Sequence, residues 1–109
     1  MLDLYVEMQE MRKTLNLAIE ELKKRGQKKA TAERDYRVAL AKEILLQRAD
    51  GVPVTIIADI CRGKKEIADL KVKRDIAETL YETCLQKIYA TKLEMSIVEN
   101  QMQAERKGE

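Results

Sequence analysis

Few side chains in this sequence could do covalent or acid–base chemistry. There is no His among the 109 residues, so the usual general base at neutral pH is missing. Acidic residues are plentiful, but Glu7 with Glu10 and Glu20 with Glu21 lie among Lys and Arg at helix-surface spacing. That is the pattern of a solvated face rather than of an acid/base pair. Cys84 falls in line with apolar residues and reads as a small core side chain. Cys61 stands beside Arg62, Lys64 and Lys65, whose charge would lower a thiol pKa, yet no partner base accompanies it. Two cysteines without His do not make a structural zinc site. Gly26, Gly51, Gly63 and Gly108 are isolated, so there is no phosphate-cradling loop. The sequence therefore points to no catalytic residue, cofactor or metal, and a non-enzymatic protein is expected.

Nucleic acid is the one chemical option with a signal. Lys23, Lys24, Arg25, Lys28 and Lys29 form one basic cluster, and Arg62, Lys64, Lys65, Lys71 and Lys73, with Arg74, form another. Lys64 and Lys65 open a helix, where the dipole disfavours cations, which hints at an anion or an acidic partner there. The competing reading is a solubilising surface, because Glu66 and Asp69 are interleaved at helical spacing. Base-stacking aromatics are nearly absent, and Tyr36, Tyr81 and Tyr89 lie at or beside apolar stripes. The balance of 21 basic and 19 acidic residues argues against a strongly cationic binder and against an acidic mimic of DNA.

The elements that hold these residues are helices. Ala, Glu, Lys, Leu and Arg dominate, aromatics make up 4%, and no strand-type alternation is visible. Ile67, Leu70, Arg74, Ala77, Tyr81, Cys84, Ile88, Thr91, Met95, Val98 and Met102 alternate spacings of three and four, which is a coiled-coil seam. Leu4, Met8, Met11, Leu15, Ala18 and Leu22 form a second seam, widened by Ile19. The next positions, Arg25 and Lys29, break it, and Ala32, Tyr36, Ala39, Leu40, Ile44 and Leu45 carry the apolar face onward. Gly26 sits at that break and weakens the helix; without Pro or a turn cluster beside it, an unbroken helix is favoured over a hinge.

Asp50-Gly51-Val52-Pro53 ends the first helix, with Gly51 suited to a left-handed position. Val54 to Arg62 forms a short amphipathic helix, capped by Thr55 and closed by Gly63, that plugs the end of the bundle. The spacing predicts helix over about 3–49, turn and short helix over about 50–63, and helix over about 64–106, in a single domain. Long helices of nearly equal length favour an all-α, antiparallel two-helix coiled-coil hairpin with a short connecting helix. Facing residues would have numbers adding to about 112, which puts Arg74 near Asp35 or Glu43, and Arg25 and Lys29 near Glu78 and Glu82. Ile76, Leu80, Leu85, Leu93 and Ile97 on one helix, and Ile19, Val38 and Leu45 on the other, lie off the seams and need cover. A homodimer forming a four-helix bundle would supply it.

Cys61 and Cys84 would lie about 35 Å apart on one continuous helix, too far for a disulfide, so a reducing cytoplasm is the natural compartment. The run from Met1 to Glu10 has no apolar block, so no secretory signal is expected there, nor any membrane contact.

The stretches Ala32-Glu33-Arg34-Asp35-Tyr36, Ala49 to Thr55, Asp75 to Tyr81 and Ile97 to Gln101 resemble helical-hairpin proteins from the early regions of phages and prophages of Gram-positive bacteria. The resemblance covers most of the chain and rests on hairpin patterns, with no active-site motif to carry over. It implies a viral accessory protein in the host cytoplasm. Together these readings lead to a protein–protein interaction or scaffold protein acting in phage DNA metabolism or host takeover. Val52, Val54, Ile56, Ile57 and Ile60 are its docking residues. The alternatives are an inhibitor of a host defence nuclease such as a CRISPR effector, and a nucleic-acid-binding helical protein using the basic clusters.

Overall fold

The computed structural model describes residues 2–108. Three helices follow one another: α1 (Leu2–Ala49), α2 (Val54–Gly63) and α3 (Lys65–Gly108), and no strand occurs among the described residues. The all-α class is as the sequence indicates, and α1 runs unbroken through Gly26.

The end of α1 shows how sequence fixes geometry. Gly51 has φ 85°, which a side chain would strain. The Val52 amide donates to the Gln47 carbonyl and the Gly51 amide to the Arg48 carbonyl, each at 3.1 Å. This paired capping satisfies the last carbonyls of the helix, and Pro53 then bars its continuation. Thr55 does not cap α2: Pro53 holds the N-cap position, with no side-chain capping bond. Lys64 alone separates α2 from α3, in an extended conformation (φ −68°, ψ 134°). Its carbonyl already accepts the first bond of α3, from the Ala68 amide at 2.9 Å.

The chain forms two compact units, one of residues up to Lys24 with those from Tyr81 onward, the other Arg25–Leu80. In the first, the Cys84 thiol donates to the Ala18 carbonyl at 3.3 Å, and Met8, Ala18, Cys84, Ile88 and Val98 are buried. In the second, Arg25 donates to the Leu80 carbonyl at 2.8 Å, Arg74 lies 3.5 Å from Glu33, and Lys64 lies 3.0 Å from Glu43. Its core holds Ala32, Tyr36, Ile57, Cys61 and Ile67. Within Arg25–Leu80, residue numbers rise along α1 as they fall along the returning arm, so the packing there is antiparallel, as in a helical hairpin.

The register differs from expectation. Ala18 with Cys84, Arg25 with Leu80, Glu33 with Arg74 and Glu43 with Lys64 have numbers adding to between 102 and 107, short of 112. The cause is α2. With Lys64 level with Glu43, its ten residues, about 15 Å of helix, return alongside the last turns of α1. It is therefore the first part of the returning arm and not an end plug. Ile57 and Cys61, its buried residues, extend the α3 seam upstream. Every α3 seam position from Ile67 to Met102 is buried or half-buried, as its spacing requires.

On α1 the apolar face after Tyr36 is placed differently from the reading of the sequence. Leu45 is exposed, and Glu43 is buried at 7% exposure in its stead. Arg74 turns its guanidinium over the Tyr36 ring, 4.6 Å from the centroid, and reaches Glu33 rather than Asp35 or Glu43. Asp35 is taken by Arg34 at 3.1 Å.

Candidate interaction surfaces

The apolar residues of the turn and α2 divide by helical geometry. Ile57 and Cys61 are one turn apart on the inner face, and Ile57 is buried, so it cannot touch a partner as expected of it. Ile56 and Ile60, also one turn apart, form an outward ridge, Val54 is 72% exposed, and Val52 is half-buried. The same unit leaves Leu45 and Leu46 exposed on the last turns of α1.

Both cysteines are inaccessible. Cys61 is 0% exposed, which removes it as a surface nucleophile despite its basic neighbours, and Cys84 is buried.

The basic clusters are largely answered from within. Lys23 and Lys24 belong to one unit, Arg25, Lys28 and Lys29 to the other. Lys23 pairs with Glu20 at 3.0 Å; Arg25 and Lys29 are half-buried, while Lys24 and Lys28 are exposed. In the second cluster Lys65 pairs with Asp69 at 2.8 Å and Lys71 with Asp75 at 3.3 Å. Arg62 and Lys73 are exposed. The two cations at the start of α3, set against the helix dipole, are thereby explained. Lys64 meets the buried Glu43, and Lys65 meets a carboxylate one turn on.

Glu43 is the most constrained ionisable group. Gln47 Nε2 donates to it at 2.8 Å and Lys64 Nζ at 3.0 Å. These hydrogen bonds, Gln47's foremost, hold its carboxyl below the ordinary value, while the bond to Glu43 raises the Lys64 ammonium. The pair joins α1 to the start of the third helix at a buried carboxylate. No spacing rule marks Glu43 as buried, because its partner arrives from another element.

In the unit that joins both chain ends, Met8, Met95 and Met102 floor an open groove of about 420 Å³, rimmed by Tyr5, Arg12 and Arg106.

Each unit also leaves uncharged side chains exposed on its part of α3. From Val72 to Ala104, the outward positions of α3 at four–three spacing are Val72, Ile76, Thr79, Thr83, Gln86, Ala90, Leu93, Ile97, Asn100 and Ala104. All are exposed and none is charged, in a chain with 37% charged residues. One unit contributes exposed Val72, Ile76 and Leu80, the other exposed Tyr89, Leu93 and Ile97. The signal was legible as a second periodicity out of phase with the seam.

No group of three or more potential metal ligands occurs among the described residues, and none of their helices is long and apolar enough to cross a membrane. No protein-family model matches this chain, and neither a curated protein nor a solved structure matches it.

Proposed function

We propose that this chain is a non-enzymatic helical adaptor that works by protein–protein contact, with the outward ridge of α2 as a docking surface. The observation that carries the reading is the exposure of Val54, Ile56 and Ile60 on a ten-residue helix whose other face is buried. Exposed apolar side chains clustered on one short element mark a contact site more often than scattered ones do. Residues 25–80, which include α2, carry 13 basic against 9 acidic side chains. The matching partner is a protein with an apolar groove and an acidic rim. The resemblance to phage early-region proteins supports a viral accessory role in DNA metabolism or host takeover, in the host cytoplasm.

A photo-crosslinking residue at Ile56, in cells that make the protein, tests this. The expected result is one dominant adduct, lost when Ile60→Glu is added. Adducts that form equally from Glu10, or that survive the Ile60 change, refute the α2 ridge.

Direct nucleic-acid binding is the second reading, favoured by the positive excess of residues 25–80. It is weakened because Lys23, Lys64, Lys65 and Lys71 already face carboxylates. A gel shift at low and moderate salt decides it, since phosphate contacts must weaken as salt rises.

A further inference from the structure

We infer that α2 is a strap that opens on its own, lifting Ile57 and Cys61 out of the core while the rest of residues 25–80 stays folded. Seven of its ten residues are exposed, Ala58 is half-buried, and only Ile57 and Cys61 are buried. No residue of α2 makes a side-chain hydrogen bond or ion pair among the described residues. Polar ties within this unit run elsewhere: Arg25 to the Leu80 carbonyl, Arg74 over Tyr36 and beside Glu33, and Lys64 to Glu43. None of them includes a residue of α2.

Both ends of α2 are joints. Before it stand Gly51, in the left-handed region, and Pro53, which has no amide to donate, and no side chain caps its first turn. The amides of Asp50, Gly51 and Val52 donate to the carbonyls of Leu46, Arg48 and Gln47, so this turn belongs to α1. After α2, Lys64 alone is extended, and its carbonyl accepts the Ala68 amide to begin α3. These bonds close α1 and start α3 without residues 54–63. The strap can therefore leave without breaking them.

Opening is opposed by the burial of two side chains and favoured by the conformational freedom of the segment. That is the balance of elements that open locally, below the free energy of global unfolding. The closed strap shows a partner Val54, Ile56 and Ile60, and the open one adds Ile57. Opening does not require that the outward ridge docks anything, so either reading can fail while the other stands.

The test is labelling of the full chain by a thiol reagent under native conditions, with each cysteine followed by mass spectrometry of its own tryptic peptide. Cys61 is 0% exposed and Cys84 is buried, so each reacts only after an opening. Cys61 is expected to react at least about tenfold faster than Cys84, and to keep its rate in urea well below the unfolding midpoint, because a strap exposes little surface when it opens.

Two variants separate the strap from its unit. Ile57→Ala loosens α2 itself and is expected to speed labelling of Cys61 at least about tenfold. Tyr36→Ala acts in the same unit but outside α2, where the ring carries Arg74 of α3. It is expected to lower the urea midpoint and to leave the Cys61 rate within about twofold of wild type. Tyr36→Leu replaces it if circular dichroism shows lost helicity. Equal rates for the two thiols, a Cys61 rate that climbs with urea as steeply as unfolding does, no acceleration in Ile57→Ala, or a Cys61 rate that follows the stability lost in the Tyr36 variant each overturns the proposal.

Discussion

Up to Lys24, the outward face of α1 differs from that of α3. On α1, the exposed positions opposite the seam run Val6, Glu10, Lys13, Leu17, Glu20 and Lys24, and Lys13 and Lys23 are tied to Glu10 and Glu20 by pairs within the helix. An apolar residue there, such as Leu17, stands alone among charges. On α3 the corresponding positions carry no charge from Val72 to Ala104. Inward, the two helices use the same seam logic. The contrast teaches that an apolar count says little about a helix surface; phase does. Isolated exposed leucines are ordinary, whereas an uncharged stripe sustained in one phase requires a reason.

The largest effect should separate the inner from the outer face of α3. Ile88 is buried and Leu93 is 65% exposed. Ile88→Ala is expected to cost about 2–5 kcal/mol of unfolding free energy, the range for truncating a packed aliphatic side chain. Leu93→Ala should cost the fold well under 1 kcal/mol. Urea unfolding at a concentration where the chain is monomeric measures both. Equal losses would mean that the outward face is packed within the monomer, and the contrast would collapse.

Burial of charge gives the next contrast, between Glu43 and the exposed pairs such as Lys13 with Glu10. The Glu43 carboxyl is held below its ordinary value, so its contribution to stability is present above the unfolded-state value and is lost as pH falls through the folded one. The Lys64 ammonium is raised. Its contribution is therefore full below the unfolded-state value of about 10.4 and is lost as pH rises through the folded value. Replacing Glu43 by Gln should flatten both the acid and the alkaline flank of a stability–pH profile. Unaltered flanks in Glu43→Gln would show that the pair does not contribute.

How much of this was legible depends on whether a residue's environment is local. The α3 seam and the Gly51 turn were readable, because period and left-handed geometry are properties of neighbouring residues. The burial of Glu43, the exposure of Leu45 and the position of α2 were not. After Tyr36, several apolar residues fit a helical face equally well, and the choice is made by what α2 and Lys64 bring alongside. The off-seam residues Ile76, Leu80, Leu93 and Ile97 were legible as a group that needs cover. The common phase of Ile76, Leu93 and Ile97 appears only when the uncharged Thr79, Thr83, Gln86 and Ala90 between them are included.

The smallest effect concerns Arg74, which occupies a seam position that apolar side chains fill elsewhere on α3. Its guanidinium sits over Tyr36, lies 3.5 Å from Glu33 and is held by Asp75 at 3.0 Å. A planar cation can stack on a ring and reach two carboxylates at once, and an ammonium cannot. Arg74→Lys should therefore cost about 0.5–1 kcal/mol, the size of a partly exposed cation–π contact. Tyr36→Leu should cancel most of the difference between Arg and Lys at position 74, which a double-mutant cycle reads directly. If the cycle shows no coupling, the ring is merely apolar cover for the arginine stem, and what makes a cation tolerable in this seam is the pair of carboxylates, as Lys64 is answered by Glu43.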